Sequence, residues 1–253
     1  MPEISPTKYL VTATWADCPH LSEEEKEQLW GSIPPHERDA RSKGVPSLGR
    51  GAVWPIMEER IQCEPFKVPE YWPVAFALDV GWNNTAALWG AWDRDSDIVY
   101  VWSEYKVGEE KPPVHAAAIK ARGEWIPGVV DPASRGRGQD DGVALFTEYQ
   151  ELGLNLDFAD NTVRGPESGV FKVYRRMVEG RLKIFSTCTN FWDEFRLYRR
   201  GENGKIVKEH DHLCDCLRYL VVSGMELAVD KLMALDLEEY TEVTGGGNAT
   251  TGY

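Results

Sequence analysis

The sequence predicts an α/β fold: a mixed sheet that opens with an antiparallel meander and is flanked by helices. Three observations predict it. Two apolar runs, Val74-Ala75-Phe76-Ala77-Leu78 and Ile126-Pro127-Gly128-Val129-Val130, read as buried strands, and they end in Asp79 and Asp131. Trp89, Ala91, Ile98, Val99, Val101 and Trp102 suggest two more strands turned at Asp93-Arg94-Asp95-Ser96-Asp97, so Asp79 closes the first strand of a meander. Later the apolar spacing becomes helical: Leu213, Leu217, Leu220 and Gly224 fall at i, i+4, i+7 and i+11.

The other elements follow along the chain. Tyr9 to Thr14 reads as a strand. Ser22 to Trp30 reads as a helix, with Ser22 at the N-cap and Glu25 three residues on. A short helix is expected from His36 to Lys43, then a Gly/Pro linker from Gly44 to Gly51 and an extended Ala52-Val53-Trp54-Pro55. Helices are expected over Val114–Trp125, Gly142–Leu152, Gly165–Glu179 and Asn190–Tyr198, and short strands over Leu154–Phe158 and Leu182–Phe185. His115 reads as a surface helix residue, and the tryptophans and Phe191 as core or interface. Gly245 to Gly252 has the composition of a flexible tail.

The aspartates are the candidates for chemistry. A carboxylate buried without a partner is costly, so one that closes an apolar run lies at a sheet edge and faces something. Each also has a plainer reading. Asp79 precedes Gly81 as in a tight turn, and Asp131-Pro132 can open a turn or helix. In open α/β sheets, ligands bind outside the carboxyl ends of strands, where both aspartates fall. In His212-Leu213-Cys214-Asp215-Cys216-Leu217-Arg218-Tyr219, Asp215 can share a helix face with Asp211 or with His212. A solvated rim and a metal site both fit that pattern. Two strand-end carboxylates plus one helix carboxylate suit a pair of hard divalent ions, Mg²⁺ or Mn²⁺, for phosphodiester cleavage. His210, His212, Cys214 and Cys216 alternate, but helix residues two apart diverge by about 200°, which disfavours a structural zinc. Glu194 reads either as an exposed helix acid or as a group that orients a basic or metal-site neighbour.

The 253 residues allow one domain of roughly 170 residues plus appendages. No apolar run approaches the roughly 20 residues of a membrane span, and no secretory leader is visible. Five cysteines without a framework pattern indicate a reducing cytosol. A net charge of −13 argues against a general nucleic-acid binder. Its distribution tempers that: residues 164–208 hold eleven Lys or Arg against five Asp or Glu, and Arg135 and Arg137 follow Asp131. Lys172, Arg175, Arg176, Arg199 and Arg200 join those two as candidate DNA contacts, with weak, salt-sensitive binding expected.

With these residues in hand, the chain resembles the nuclease domain of tailed-bacteriophage large terminases from about Trp54 to Ala228. The resemblance is carried by Phe76-Ala77-Leu78-Asp79-Val80-Gly81 with Thr85-Ala86-Ala87, by Val130-Asp131-Pro132-Ala133-Ser134 with Gln139-Asp140-Asp141-Gly142, and by Asp211 to Tyr219. Tyr198-Arg199-Arg200 with Gly204-Lys205-Ile206-Val207 resembles the family's hairpin before the last helix. The resemblance implies a ribonuclease H-like mixed sheet with three leading antiparallel strands. It implies catalytic, metal-holding acids at Asp79, Asp131 and Asp215, with His212 beside them and Asp211 a rival third acid. It implies two ions bridged by Asp79, a double-stranded DNA substrate cut during genome packaging, and action in the host cytoplasm. The implied partners are the portal protein, the small terminase subunit and the motor's ATPase domain. No Gly-x4-Gly-Lys-Ser/Thr loop is present, so that ATPase domain is not expected within these residues. Trp15 to Ser22 resembles the family's domain junction. The expected division is therefore a linker and ATPase-end remnant over 1–65, the nuclease domain over 66–229, and an acidic then Gly-rich tail over 230–253. A shortened chain or a split gene would give such a piece. A junction resolvase or transposase-type nuclease would share the acids, and a portal-docking fragment would use them only structurally.

Overall fold

The computed structural model describes residues 3–5, 8–9, 14–32, 42, 51–131, 145–159, 165–201 and 203–234. The expected helix from His36, the arginines at 135 and 137, and the acidic and Gly-rich tail after 234 lie outside the described residues. Strands β1 (Glu3–Ser5) and β2 (Lys8–Tyr9) pair with each other, and helix α1 (Glu23–Ser32) follows. Ser22 and Glu25 form the expected capping box: the Glu25 amide donates to Ser22 Oγ at 3.2 Å and the Ser22 amide to Glu25 Oε2 at 2.9 Å. Thr14, read as the end of a strand, instead caps the 3-10 turn Trp15–Asp17, its hydroxyl accepting from the Ala16 amide.

Helix α2 (Glu58–Ile61) leads into β3 (Gln62–Cys63). The meander follows as β4 (Val74–Asp79), β5 (Thr85–Asp93) and β6 (Ile98–Val107). After it come α3 (Pro112–Lys120), β7 (Gly128–Val130), α4 (Leu145–Glu151), β8 (Leu156–Phe158), α5 (Gly165–Val178), β9 (Leu182–Phe185), α6 (Thr189–Leu197) and α7 (His212–Tyr219). A π-helical turn, Leu220–Gly224, continues α7. The seven-stranded sheet has the order β3-β9-β6-β5-β4-β7-β8; β5 is antiparallel to both β4 and β6, and the other pairings are parallel. This is the mixed sheet opening with an antiparallel meander that the sequence predicts.

Both faces of the sheet are covered, which explains why β4 reads as an unbroken apolar run rather than an alternating one. Ala75, Ala77, Ala86 and Leu88 face α5, α6 and α7. Val74, Phe76, Leu78, Ala87 and Trp89 face α3 and α4 in the second core cluster. The packed body also takes in Trp54, 2% exposed, whose indole N–H donates to the Val170 carbonyl at 3.0 Å.

Helix α3 starts earlier than expected because Pro112 and Pro113 suit the first helical turn, and it stops before Gly123, whose φ of +144° breaks the helix. His115 is buried, not exposed: its ring bonds Tyr105 Oη at 2.8 Å and the Glu110 carbonyl at 3.1 Å, and burial pushes its pKa down. The hairpin before α7 is reduced to a single bridge, Arg200 to Ile206.

Two stability predictions follow from the packing. A Cβ at Gly128 would lie 2.3 Å from the Phe76 ring, which is stacked on Trp89 and cannot move aside. Gly128→Ala should cost about 1–3 kcal/mol in urea denaturation. Asp97, at φ +52°, joins the β5–β6 turn to Arg176 of α5 at 2.8 Å, to Trp92 Nε1 of β5 at 3.0 Å and to Arg181 just before β9. Its burial favours the neutral acid, but these partners win and hold its pKa low. The resulting stability is present above its ordinary value of 3.8 and is lost as pH falls through the depressed value. Asp97→Asn should therefore cost roughly 1 kcal/mol at pH 7, small because the site is partly exposed, and the gap should close in acid.

Candidate metal centre

The sheet places two of the acids side by side. Asp79 is the last residue of β4, and Leu78 before it pairs with Val130 of the parallel strand β7. The Asp131 amide, one residue past β7, donates to the Leu78 carbonyl at 3.4 Å. Asp79 and Asp131 thus leave adjacent strands at the same carboxyl edge.

Helix α7 supplies the third. It lies on the β4–β5 face, with Leu213, Cys214, Cys216 and Leu217 fully buried. Cys216 Sγ donates to the carbonyl of Ala86, the residue paired with Asp79. The first turn of α7 is not capped by the side chain of its N-cap residue, Asp211. Glu194 of α6 does that work: Oε2 accepts from the Leu213 amide at 2.6 Å and from the Cys214 amide at 3.4 Å. Its Oε1 lies 2.6 Å from Lys106 Nζ, and Glu194 is only 2% exposed. Glu194 is therefore no exposed helix acid; it anchors the helix that carries Asp215 and orients Lys106.

Each acid near the helix meets a cation of the protein itself. His212 does not turn toward Asp215. Its Nδ1 lies 2.8 Å from Asp79 Oδ2, and this bond raises its pKa against the opposing effect of burial. Asp215 is held at both oxygens: Oδ1 accepts from Arg218 Nη2 at 3.1 Å, and Oδ2 from Lys208 Nζ at 2.7 Å. Lys208 Nζ also lies 2.9 Å from Asp211 Oδ2. Burial opposes the charge of Lys208, but Asp215 and Asp211 outweigh it and raise its pKa. Tyr219 follows Arg218 on α7 and is buried. Its phenol is pushed up first by burial and, against Arg218, by the charges of Asp215, Asp131 and Asp79.

Asp79 and Asp131 lie at one sheet edge, and α7, which carries Asp215 and follows Asp211, reaches that edge through the contact of His212 with Asp79. Among the described residues, no three His, Cys, Asp or Glu side chains close on a single point. The donors are hard carboxylate oxygens that already accept cationic partners, so their chemistry fits Mg²⁺ or Mn²⁺. Cys214 and Cys216 do not fit zinc. They are buried, and burial raises both thiol pKa values well above normal.

The expected DNA contacts separate. Arg175 is exposed on α5. Lys172 donates to the Val222 carbonyl at 3.3 Å, Arg176 pairs with Asp97, Arg199 with Glu209 at 3.6 Å and Arg200 with Glu167 at 2.6 Å. The residues that sequence reasoning passed over are Lys208, Arg218 and Lys106. Only Arg218 had a local signal, its position three residues after Asp215.

The fold and the acids define a ribonuclease H-like protein with a carboxylate-rich centre. Residues 76–223 match the family described as Terminase RNaseH-like domain, and the chain belongs to that family. The chain is 38% identical over 225 residues to large terminase subunits of Enterobacteria phage LP7 and Salmonella phage P22, covering 85% of this chain and 46% and 44% of those proteins. It thus spans about half the length of these relatives. The P22 large terminase nuclease domain superposes with a TM-score of 0.67 at 34% identity, covering 74% of this chain and 99% of that one. The magnesium-bound large terminase nuclease of thermophilic phage G20c shares the fold, with a TM-score of 0.52 at 17% identity over 69% of this chain and 98% of that one.

Removing the anchor of α7 should be costly. Glu194→Ala leaves the half-buried Lys106 without its carboxylate and frees two helix amides, so a loss of about 1–3 kcal/mol is expected. Chemical denaturation checks it, and Glu194→Gln, which retains an amide acceptor, should lose less.

Proposed function

We propose that this chain is a divalent-metal-dependent endonuclease that cuts double-stranded DNA during phage genome packaging. The observation that carries this reading is that Asp79 and Asp131 leave adjacent strand ends, while α7, the helix of Asp215, reaches Asp79 through His212. The magnesium-bound relative supports the same choice of metal.

Asp79, Asp131 and Asp215 would hold the two ions, with Asp211 adjoining Asp215 through Lys208. Bound there, the ions would supply an activated water and charge stabilisation for the leaving oxygen. The chain's own contribution is placement. The β4–β7 pairing sets two acids, Glu194 sets the helix that carries the third, and His212 orients the Asp79 carboxylate. Arg175, together with Arg135 and Arg137, is the natural set for backbone phosphates, because Arg176, Arg199 and Arg200 are already engaged with carboxylates. The partners expected with this activity are the ATPase domain of the motor, the portal protein and the small terminase subunit, in the host cytoplasm.

Plasmid DNA incubated with Mn²⁺, Mg²⁺ or EDTA tests the reading. Cleavage should need the metal and fall at least about 100-fold in Asp79→Ala, Asp131→Ala and Asp215→Ala, each still folded by circular dichroism. An active, folded Asp79→Ala would sink the assignment.

A further inference from the structure

We propose that Lys208 is a resident counter-cation of the metal centre, a positioning residue that occupies the place of an ion at Asp215 and must swing out when the ion enters. The inference rests on the nuclease reading of the site and goes beyond it.

The two cations on Asp215 differ in kind. Arg218 sits on the same helix three residues away, is 5% exposed, and stacks over the Tyr219 ring at 4.3 Å. Its guanidinium is fixed by packing as well as by charge, and Nε and Nη2 both donate to Asp215 Oδ1. Lys208 comes from the segment before α7, and its side chain is 66% exposed. Its ammonium reaches the acids on a flexible stem, 2.7 Å from Asp215 Oδ2 and 2.9 Å from Asp211 Oδ2. A compact point charge shared between oxygens of two nearly buried carboxylates is what a divalent ion would replace. Ammonium and metal cannot both occupy that space, because like charges there repel and each needs the same lone pairs.

The exchange has a direct consequence. Without the ion, Lys208 keeps Asp215 and Asp211 neutralised and in place. With the ion bound, Lys208 is released on the solvent side of the centre, where a DNA phosphate is the nearest chemistry to receive it. Metal entry thereby adds a positive charge to the DNA-facing side, so metal and DNA should bind cooperatively through this residue.

Calorimetric titration of Mn²⁺ into the wild type, Lys208→Met, Lys205→Met and Asp215→Ala tests the proposal without any turnover. Lys205 is an exposed lysine on the same segment, so its variant controls for the loss of one positive charge. Lys208→Met should bind Mn²⁺ about fivefold tighter than Lys205→Met, the scale of one solvent-facing ion pair. At saturating Ca²⁺ used as a non-cleaving ion, Lys208→Met should bind a DNA duplex several-fold more weakly than Lys205→Met. Lys208→Gln guards against a folding artefact, and thermal melts in EDTA confirm that each variant is folded. Equal Mn²⁺ affinity in the two lysine variants would overturn the role of Lys208 and leave the nuclease reading standing. Mn²⁺ binding that is undiminished in Asp215→Ala would overturn both.

Discussion

The close approach of α7 to the β4–β5 face is the constraint on which the candidate site depends. It requires small residues in the sheet, and Ala75, Ala77 and Ala86 supply them. At Gly90 a Cβ would come within 2.8 Å of the Leu220 Cδ2 methyl, so the π-helical turn packs closely on β5 there. Cys216 then reaches the Ala86 carbonyl, and His212 reaches Asp79. A helix held farther off would leave Asp215 and the strand-end aspartates as separate surface acids.

That approach concentrates negative charge, and the protein answers with its own cations. His212 lies against Asp79, Lys208 bridges Asp215 and Asp211, Arg218 backs Asp215, and Lys106 backs Glu194. Buried carboxylates must be paired or neutralised, so such a centre can fold before any metal arrives. The same pairs set the competition that a divalent ion meets.

The three leading strands, Asp79 and Asp131 at strand ends, and a core-facing helix through Asp215 were all legible in the sequence, because they depend on local apolar runs and periodicity. The exact ends of the helices were less so. Pro112 and Gly123 moved α3 by several residues, and His115 proved buried because Tyr105 and the Glu110 carbonyl satisfy both of its ring nitrogens. Helical spacing placed His212 with Asp215, yet the helix turns His212 to the sheet.

The sequence by itself determined which carboxylates are candidates and which runs are strands or helices, since composition, apolar period and helix spacing are properties of the chain alone. Only the tertiary structure decided which carboxylates become neighbours, which cation each one takes, and that Glu194 caps a helix nineteen residues away in sequence. Those contacts join β4, β7, α6 and α7 across the fold. Their energies come from burial and charge pairing between distant segments, and no local pattern encodes them.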